Sequence, residues 1–509
     1  MSASQLPRTD GTVPPGSRAP GWLAPGWLAR GRVDLLVAGA VLLMAVPIVQ
    51  LMMAQQESRY ALTAAIAERG TVLIDAYEHI LGVDRAVRDG HTYSDKAPGQ
   101  PVLAVPAYLL YRVLGGPSAV VQDEIGNLGL WTTSVATAAL PAAALAVLMR
   151  RLALRVAGPR EAVTAALGLA LGSMLLPFST LLFGHVLAGL LSLWGFVLVL
   201  PRDASPRRLT GAGLVTGMAV LTEFTTGIVA LVLLVFVAWR HRSEVLHFMV
   251  GGVGPALALV AYNSAVFGGP LSFSYQASET FGEGHRSGLV GVQLPDPVMA
   301  LRVAFGERGL FTLTPVVAAG VVGAVGLVRH ERDDPRMLGV VGLAVFAGFF
   351  LLQAGWGNPF GGASPGSRYV TPSLAFLAPG VAYAFRRAPA AAAAATAVGV
   401  IAMTAATLTL PLAQPTEPFA LGWWLTRLVE GRTIDTILTM ALGSRLWVVV
   451  PPVLAFILAG WVIVRPEPAP RAGGALRASP APPVPPASPV PPASPVPPAS
   501  PVQGRRSGR

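Results

Sequence analysis

The chain has 509 residues and no cysteine, which excludes disulfides, thiolate nucleophiles and cysteine metal sites. Charge is scarce as well: 12% of residues are charged and 53% are hydrophobic, whereas soluble domains carry roughly a quarter charged residues. Lysine is nearly absent, since Lys96 is the only lysine among 37 basic residues and the rest are arginine. An ammonium is a compact point charge with three rotatable donors and a guanidinium is a planar fork, so the exchange is not neutral where a cation meets a phosphate or carboxylate. Lys96 sits in an aromatic, acidic, proline-bounded run, Tyr93-Ser94-Asp95-Lys96-Ala97-Pro98-Gly99.

What is present in quantity is apolar sequence, with a mean hydropathy of +0.58. Many stretches reach the roughly 20 residues that a helix needs to cross a bilayer, from Val33–Ala54 to Leu446–Val464. The expected class is an all-α polytopic membrane protein. Its net charge of +11 does not point to nucleic acid, because the arginines cluster at the ends of apolar segments, as topogenic charges do.

Three regions are expected. Residues 1–32 form a Pro/Gly-rich cytoplasmic N-terminus with a short duplication, and no leader-cleavage pattern precedes the first span, which is read as retained. Residues 33–465 form the membrane domain. Residues 466–509 form a disordered tail with three copies of Pro-Val-Pro-Pro-Ala-Ser over 483–500, which favours extended polyproline structure and makes it a docking candidate for a cytoplasmic partner.

Assigning the arginine-rich ends to the cytoplasm gives about twelve crossings, near 33–54, 131–149, 162–182, 186–200, 209–222, 225–239, 245–266, 310–328, 337–354, 370–385, 388–411 and 446–464. The segment 101–114 contains Pro101, Pro106 and Arg112 and is read as a juxtamembrane helix lying in the outer interface. Three long loops then face outward, at 55–124, 267–309 and 355–368, and function is expected there. Glu57, at the lip of the first helix, is placed to take a proton from a hydroxyl, hold a sugar hydroxyl or metal, or pair with Arg59.

Taken whole, the first loop resembles that of GT-C glycosyltransferases, in the branch of lipid A aminoarabinose transferases and protein O-mannosyltransferases (glycosyltransferase family 39-like). There an acidic pair followed by Arg-Tyr opens the loop, and aromatic-x-Glu-Lys-Pro-Pro closes it; here Glu57-Ser58-Arg59-Tyr60 and Tyr93-Ser94-Asp95-Lys96-Ala97-Pro98 correspond. Thr222-Glu223 is similar to a short helix end that usually reads Leu-Thr-Lys-Gly, and Arg368-Tyr369-Val370-Thr371-Pro372 to a later Arg-Tyr-Leu-x-Pro run. The likeness covers roughly residues 33–385, and departs where Gln56 replaces the first acid, Glu223 a lysine, and His185 stands where an acid is absent.

The resemblance implies a plasma-membrane transferase of the cell envelope. It would move a sugar from a polyprenyl-phosphate donor to a lipid, glycan or protein acceptor at the extracytoplasmic face, with inversion. Glu57 would be the base, with His185 sharing that role. Lys96, Arg59, Arg308 and Arg368 would hold the donor phosphate, and Tyr60, Tyr93, Asp95, Glu223 and Tyr369 the substrates. No cofactor is implied with certainty and a divalent cation stays open. Two rivals remain: a transporter or flippase of a lipid-linked saccharide, and a non-catalytic donor-binding membrane protein.

Overall fold

The computed structural model describes residues 27–121, 128–286, 288, 291–413 and 419–465. The expected tail lies outside the described residues, as does most of the N-terminal segment.

Among the described residues, fourteen helices organise the fold. They are α1 (Trp27–Ala45), α2 (Gln55–Arg69), α3 (Gly99–Val113), α4 (Leu128–Ala153), α5 (Pro159–Gly172), α6 (Gly184–Val199), α7 (Pro206–Thr222), α8 (Gly227–Arg240), α9 (Val245–Phe267), α10 (Pro315–Val328), α11 (Asp333–Ala354), α12 (Ala378–Arg387), α13 (Pro389–Leu408) and α14 (Val450–Val464). Further helical pieces, among them Ala420–Val429, fill the connections.

Five of these, α4, α9, α11, α13 and α14, the last taken with the turn before it as Arg445–Val464, are long and apolar enough to cross a membrane; a sixth span results if Pro297–Leu313 and α10, bent by 96° at Thr314, count as one. The expectation of about twelve crossings is therefore not met by full-length helices. Several anticipated spans are short or broken. The stretch expected at 162–182 ends as helix at Gly172, because Ser173 is fully extended, and resumes as a short turn at Leu175–Phe178. The interruption expected at Thr222-Glu223 is present, with Glu223 extended between α7 and α8.

Small residues set the tightest helix crossings, as in membrane interiors where backbones approach closely. Gly213 of α7 packs on the Phe248 carbonyl of α9, and Gly251 of α9 packs on the Thr210 carbonyl of α7; a Cβ on either would overlap the other backbone.

Helix polarity separates two ends. α6 starts beside His185 and is followed by Arg202, whereas α7 starts beside Arg207 and Arg208 and finishes at Glu223. A helix of this length spans about 24 Å, so the arginines and the loop residues sit at opposite ends. At the arginine end, Asp34 pairs with Arg150 and Arg151, Asp333 with Arg202, and Asp334 with Arg155 and Arg240.

Among the described residues, two small antiparallel ribbons lie at the loop end. β1 (Ile48–Val49) follows α1 and pairs with β4 (Asp435–Thr436) near the far end of the chain, while α1 itself packs on α14. β2 (Arg85–Arg88) and β3 (His91–Ser94) form a hairpin with Arg85 opposite Ser94. Its two-residue turn is Asp89-Gly90, both with positive φ, 52° and 79°, as the twist-matched hairpin turn requires.

The juxtamembrane helix is present as α3. Tyr108 is buried while Val102, Leu110 and Val113 are exposed, the two-sided pattern of a helix lying against an apolar phase. Glu68 at the end of α2 fixes its position, accepting hydrogen bonds from Tyr108 (2.5 Å), Tyr77 (3.0 Å) and Ser118 (2.9 Å).

Candidate functional site

The β2–β3 register explains the immediate environment of Lys96. With Arg85 opposite Ser94, the residues just outside the ladder are Asp84 and Asp95, on either side of the lysine. Lys96 Nζ donates to Asp84 Oδ1 at 2.7 Å and to Asp95 Oδ2 at 2.8 Å, and lies 5.7 Å from the centre of the Tyr275 ring. Ser58 Oγ lies 2.7 Å from Ser94 Oγ and 3.4 Å from Asp95 Oδ1, tying α2 to the hairpin.

Electrostatics follow from this geometry. Burial works against the Lys96 charge, but Asp84 and then Asp95 outweigh it and raise its pKa. Burial would also raise Asp84, yet Lys96 holds it below the ordinary carboxylate value. Asp95 goes the other way: burial, only partly countered by Lys96 and reinforced by Asp84, pushes it up.

Lys96 and Asp84 line a cavity of about 820 Å³ together with Glu57, Tyr275, His285, Trp356, Arg368 and Tyr369. Glu57 Oε2 accepts from the Gly82 N–H at 2.7 Å, which aims this first-turn carboxylate of α2. Arg368 is 8% exposed and stacks over Tyr369 with its guanidinium carbon 5.0 Å from the ring centre. Its Nη2 donates to the Tyr369 hydroxyl at 3.1 Å, its Nε is buried without a partner, and no carboxylate pairs with it among the described residues. Arg368 is thus a buried cation in the cavity wall, and Lys96 is a cation already braced by two carboxylates.

An aromatic wall runs along the same cavity. Tyr275 stacks on His285 with centroids 5.3 Å apart, His285 meets Trp356 at 5.2 Å, and Trp356 meets Tyr369 at 4.8 Å. Burial first, then Lys96 and Arg368, depress the His285 pKa to about 4.

Beneath the cavity lies a second cluster. Glu223 Oε2 is 3.2 Å from His185 Nδ1 and 3.5 Å from Arg59 Nη2, and all three side chains are at most 1% exposed. Arg59 Nη1 donates to Gln55 at 2.6 Å, and the Tyr275 hydroxyl donates to Glu223 Oε1 at 3.4 Å. Tyr275 therefore connects the two layers.

Sequence reading placed eleven residues in one site, and the structure brings them together in part. Glu57, Lys96, Arg368 and Tyr369 line the cavity. Asp95 braces Lys96, and Arg59, His185 and Glu223 form the layer below. Three lie elsewhere. Arg308 is buried at 1% and donates to the Ala413 and Ser364 carbonyls, a tie that holds the 355–368 loop in place. Tyr60 packs on Tyr108 in the core of the first loop, and Tyr93 on Phe267. Gln56, at the position of the missing acid, is fully buried; its amide donates to Leu51 O and accepts from Leu182 N, so it bridges backbone as a neutral group.

Asp84, Tyr275, His285 and Trp356 were not anticipated. Asp84 was findable, because Asp89-Gly90 is a strong hairpin signal and centring the ribbon on it sets Asp84 against Asp95. The three aromatic residues carry no local motif. Among the described residues no group of three or more His, Asp or Glu side chains is placed to hold a metal ion.

No family model matches the chain, and no curated protein matches it in sequence. Solved structures do. The apo structure of ArnT from Cupriavidus metallidurans superposes with a TM-score of 0.51 at 16% identity, over 86% of this chain and 74% of that one. The archaeal oligosaccharyltransferase AglB from Archaeoglobus fulgidus superposes at 0.41 and 14% identity, over 87% of this chain and 56% of that one. The arabinosyltransferase EmbB from Mycobacterium smegmatis superposes at 0.41 and 13% identity, over 88% of this chain and 41% of that one. The likeness to ArnT establishes a shared fold.

Proposed function

We propose that this chain is a membrane glycosyltransferase that moves a sugar from a polyprenyl-phosphate donor to an acceptor hydroxyl at the extracytoplasmic face. The observation that supports it best is one cavity lined by an unpaired buried guanidinium, Arg368, the braced ammonium of Lys96 and the carboxylate of Glu57. Cations and a carboxylate gathered at a bundle lip suit the separation of a phosphate leaving group from a sugar.

A route for the lipid adjoins it. An apolar groove of about 480 Å³ runs between α7, α8 and α9, past Leu221, Leu231 and Val260 to Phe273. Phe273 packs on Phe224, and Phe224 on Tyr275 of the cavity wall. An isoprenoid tail in the groove would deliver its phosphate to that wall.

In this mechanism Glu57 removes the proton from the acceptor hydroxyl, and the oxygen attacks the anomeric carbon from the side opposite the phosphate. The bond from the anomeric carbon to the phosphate oxygen breaks with its electron pair on the phosphate. Arg368 and Lys96 stabilise that charge in a site already organised before the reaction, the arrangement that gives electrostatic catalysis its size. The wall of Tyr275, His285, Trp356 and Tyr369 offers flat faces to the sugar ring. Arg59, Glu223 and His185 position Tyr275 from below and touch no substrate.

The test is transfer from radiolabelled polyprenyl-phosphate sugars by protein reconstituted in liposomes, with E57Q and R368A compared at matched folding. Transfer by the wild type that both substitutions abolish supports the reading. Full activity in both variants overturns it, and movement of a lipid-linked saccharide across the bilayer without transfer replaces it with the transporter.

A further inference from the structure

The arginine end of the bundle holds a second cavity that the proposed chemistry does not use. It measures about 660 Å³ and is lined by Arg329, Arg332, Arg386 and Arg387 with His330 and Tyr383. Its origin is the crossing of α10 and α12. Gly320 packs on Leu377 and Val381, Gly323 on Gly380, and Gly326 on Tyr383, so the contacts advance along both helices in the same direction. One turn further on, the register brings Arg329 opposite Arg386 and Arg387. Two helices that run side by side therefore both finish in arginine at one point.

Like charges facing each other repel, here moderated by solvent because all four arginines are exposed, and Arg386 also donates to the Val156 carbonyl at 3.4 Å. Elsewhere at this end carboxylates relieve such charge: Asp34 meets Arg150 and Arg151, Asp333 meets Arg202, and Asp334 meets Arg155 and Arg240. For the four arginines of the cavity, no carboxylate partner occurs among the described residues, and the one acid in the lining is Glu331. The carbonyl ends of α10 and α12 contribute partial negative charge, which four guanidiniums exceed. Arg387 stacks over Tyr383 at 5.3 Å, which directs its fork along the cavity wall. Topogenic bias accounts for arginines at helix ends; it does not account for four of them converging on a hollow.

We propose that this cavity is a phosphate-binding site, separate from the transfer cavity and at the opposite end of the helices. Planar guanidinium forks match phosphate oxygens in pairs. The phosphate group belongs either to the headgroup of an anionic phospholipid in the adjacent leaflet or to a soluble phosphate ester, and both sources present the same chemistry. The inference stands independently of the sugar-transfer reading.

The experiment uses full-length protein in detergent, compared with R329Q/R386Q/R387Q. R202Q, which removes an arginine paired with Asp333, controls for loss of positive charge. Native mass spectrometry reads retention of phosphatidylglycerol against phosphatidylcholine. Thermal melting of delipidated protein with inorganic phosphate or glycerol 3-phosphate reads the soluble source. Wild type and R202Q are expected to prefer phosphatidylglycerol at least tenfold or to melt higher with phosphate, and the triple variant to lose that response while melting normally without anion. A response to phosphatidylglycerol alone assigns the site to a lipid headgroup, and a response to phosphate alone assigns it to a soluble ester. No anion preference in the wild type overturns the proposal, as does a preference that survives in the triple variant. Because arginine loss also disturbs insertion, R329K/R386K/R387K is measured alongside. It keeps the charge and loses the forks, and a weakened but remaining response is expected.

Discussion

Lys96 and Asp84 meet at 2.7 Å across the base of a hairpin, so the only lysine in the chain enters the cavity with its charge already engaged. Among the described residues, the cation left without a carboxylate partner there is Arg368. The pair is almost fully enclosed, and this gives a direct test. Removing one member of a buried ion pair strands the other, at a cost of about 3–5 kcal/mol. K96A, which strands two carboxylates, is expected to lower the melting temperature more than R368A does. K96A/D84N is expected to recover part of the loss. Equal melting of K96A and wild type would sink this account of the lysine.

Glu57 differs in kind. Its bond to the Gly82 N–H survives in E57Q because the amide oxygen accepts in the same way. Thermal stability should hold while sugar transfer falls by about 10²–10⁴-fold, the usual contribution of a general base. Parallel loss of stability and activity would instead make Glu57 a structural strut.

The lower layer is built for an anion. Arg59 and His185 converge on Glu223, at a position where the resembling family usually carries lysine. E223K is therefore expected to yield little folded protein, since it buries a cation against Arg59. E223Q should fold with a loss of about 3–5 kcal/mol, as for a broken buried pair. Expression level and detergent melting curves decide between them.

His285 supplies a pH signature. Its pKa falls from the usual 6.5 to about 4, so between those values the unfolded chain binds the proton more readily. Stability from this group is complete above the unfolded value and declines as pH drops toward 4. Melting temperature should fall on acidification through that window, and H285F should flatten the dependence. An unchanged slope in H285F would remove His285 as its source.

Much of this was legible in the sequence. The lone lysine, the Arg368-Tyr369 run and the interruption at Glu223 each pointed to a residue that lines the candidate cavity or lies in the layer beneath it. Single-residue motifs did not tell lining from packing: Arg308, Tyr60 and Tyr93 share the chemistry of site residues, but the loops turn them into the interior. Nor did apolar length alone give the crossings. Extended residues such as Ser173 and Glu223 cut continuous hydrophobic runs into shorter helices, because loop-end backbone is spent on placing side chains. Asp84 depended on strand register, which periodicity does not reveal until the Asp89-Gly90 turn is recognised.

The pairing of Ile48–Val49 with Asp435–Thr436 has a bearing on biosynthesis. The segment that leads into Glu57 emerges from the ribosome early, and its strand partner follows more than three hundred residues later. Contacts this remote in sequence form late, because the intervening chain must be ordered first. The entry to the first loop thus stays unlatched until Asp435 and Thr436 have been made. A nascent chain arrested before residue 435 would have its amino-terminal helices inserted and the loop start still open to protease, and completion of the chain would close it.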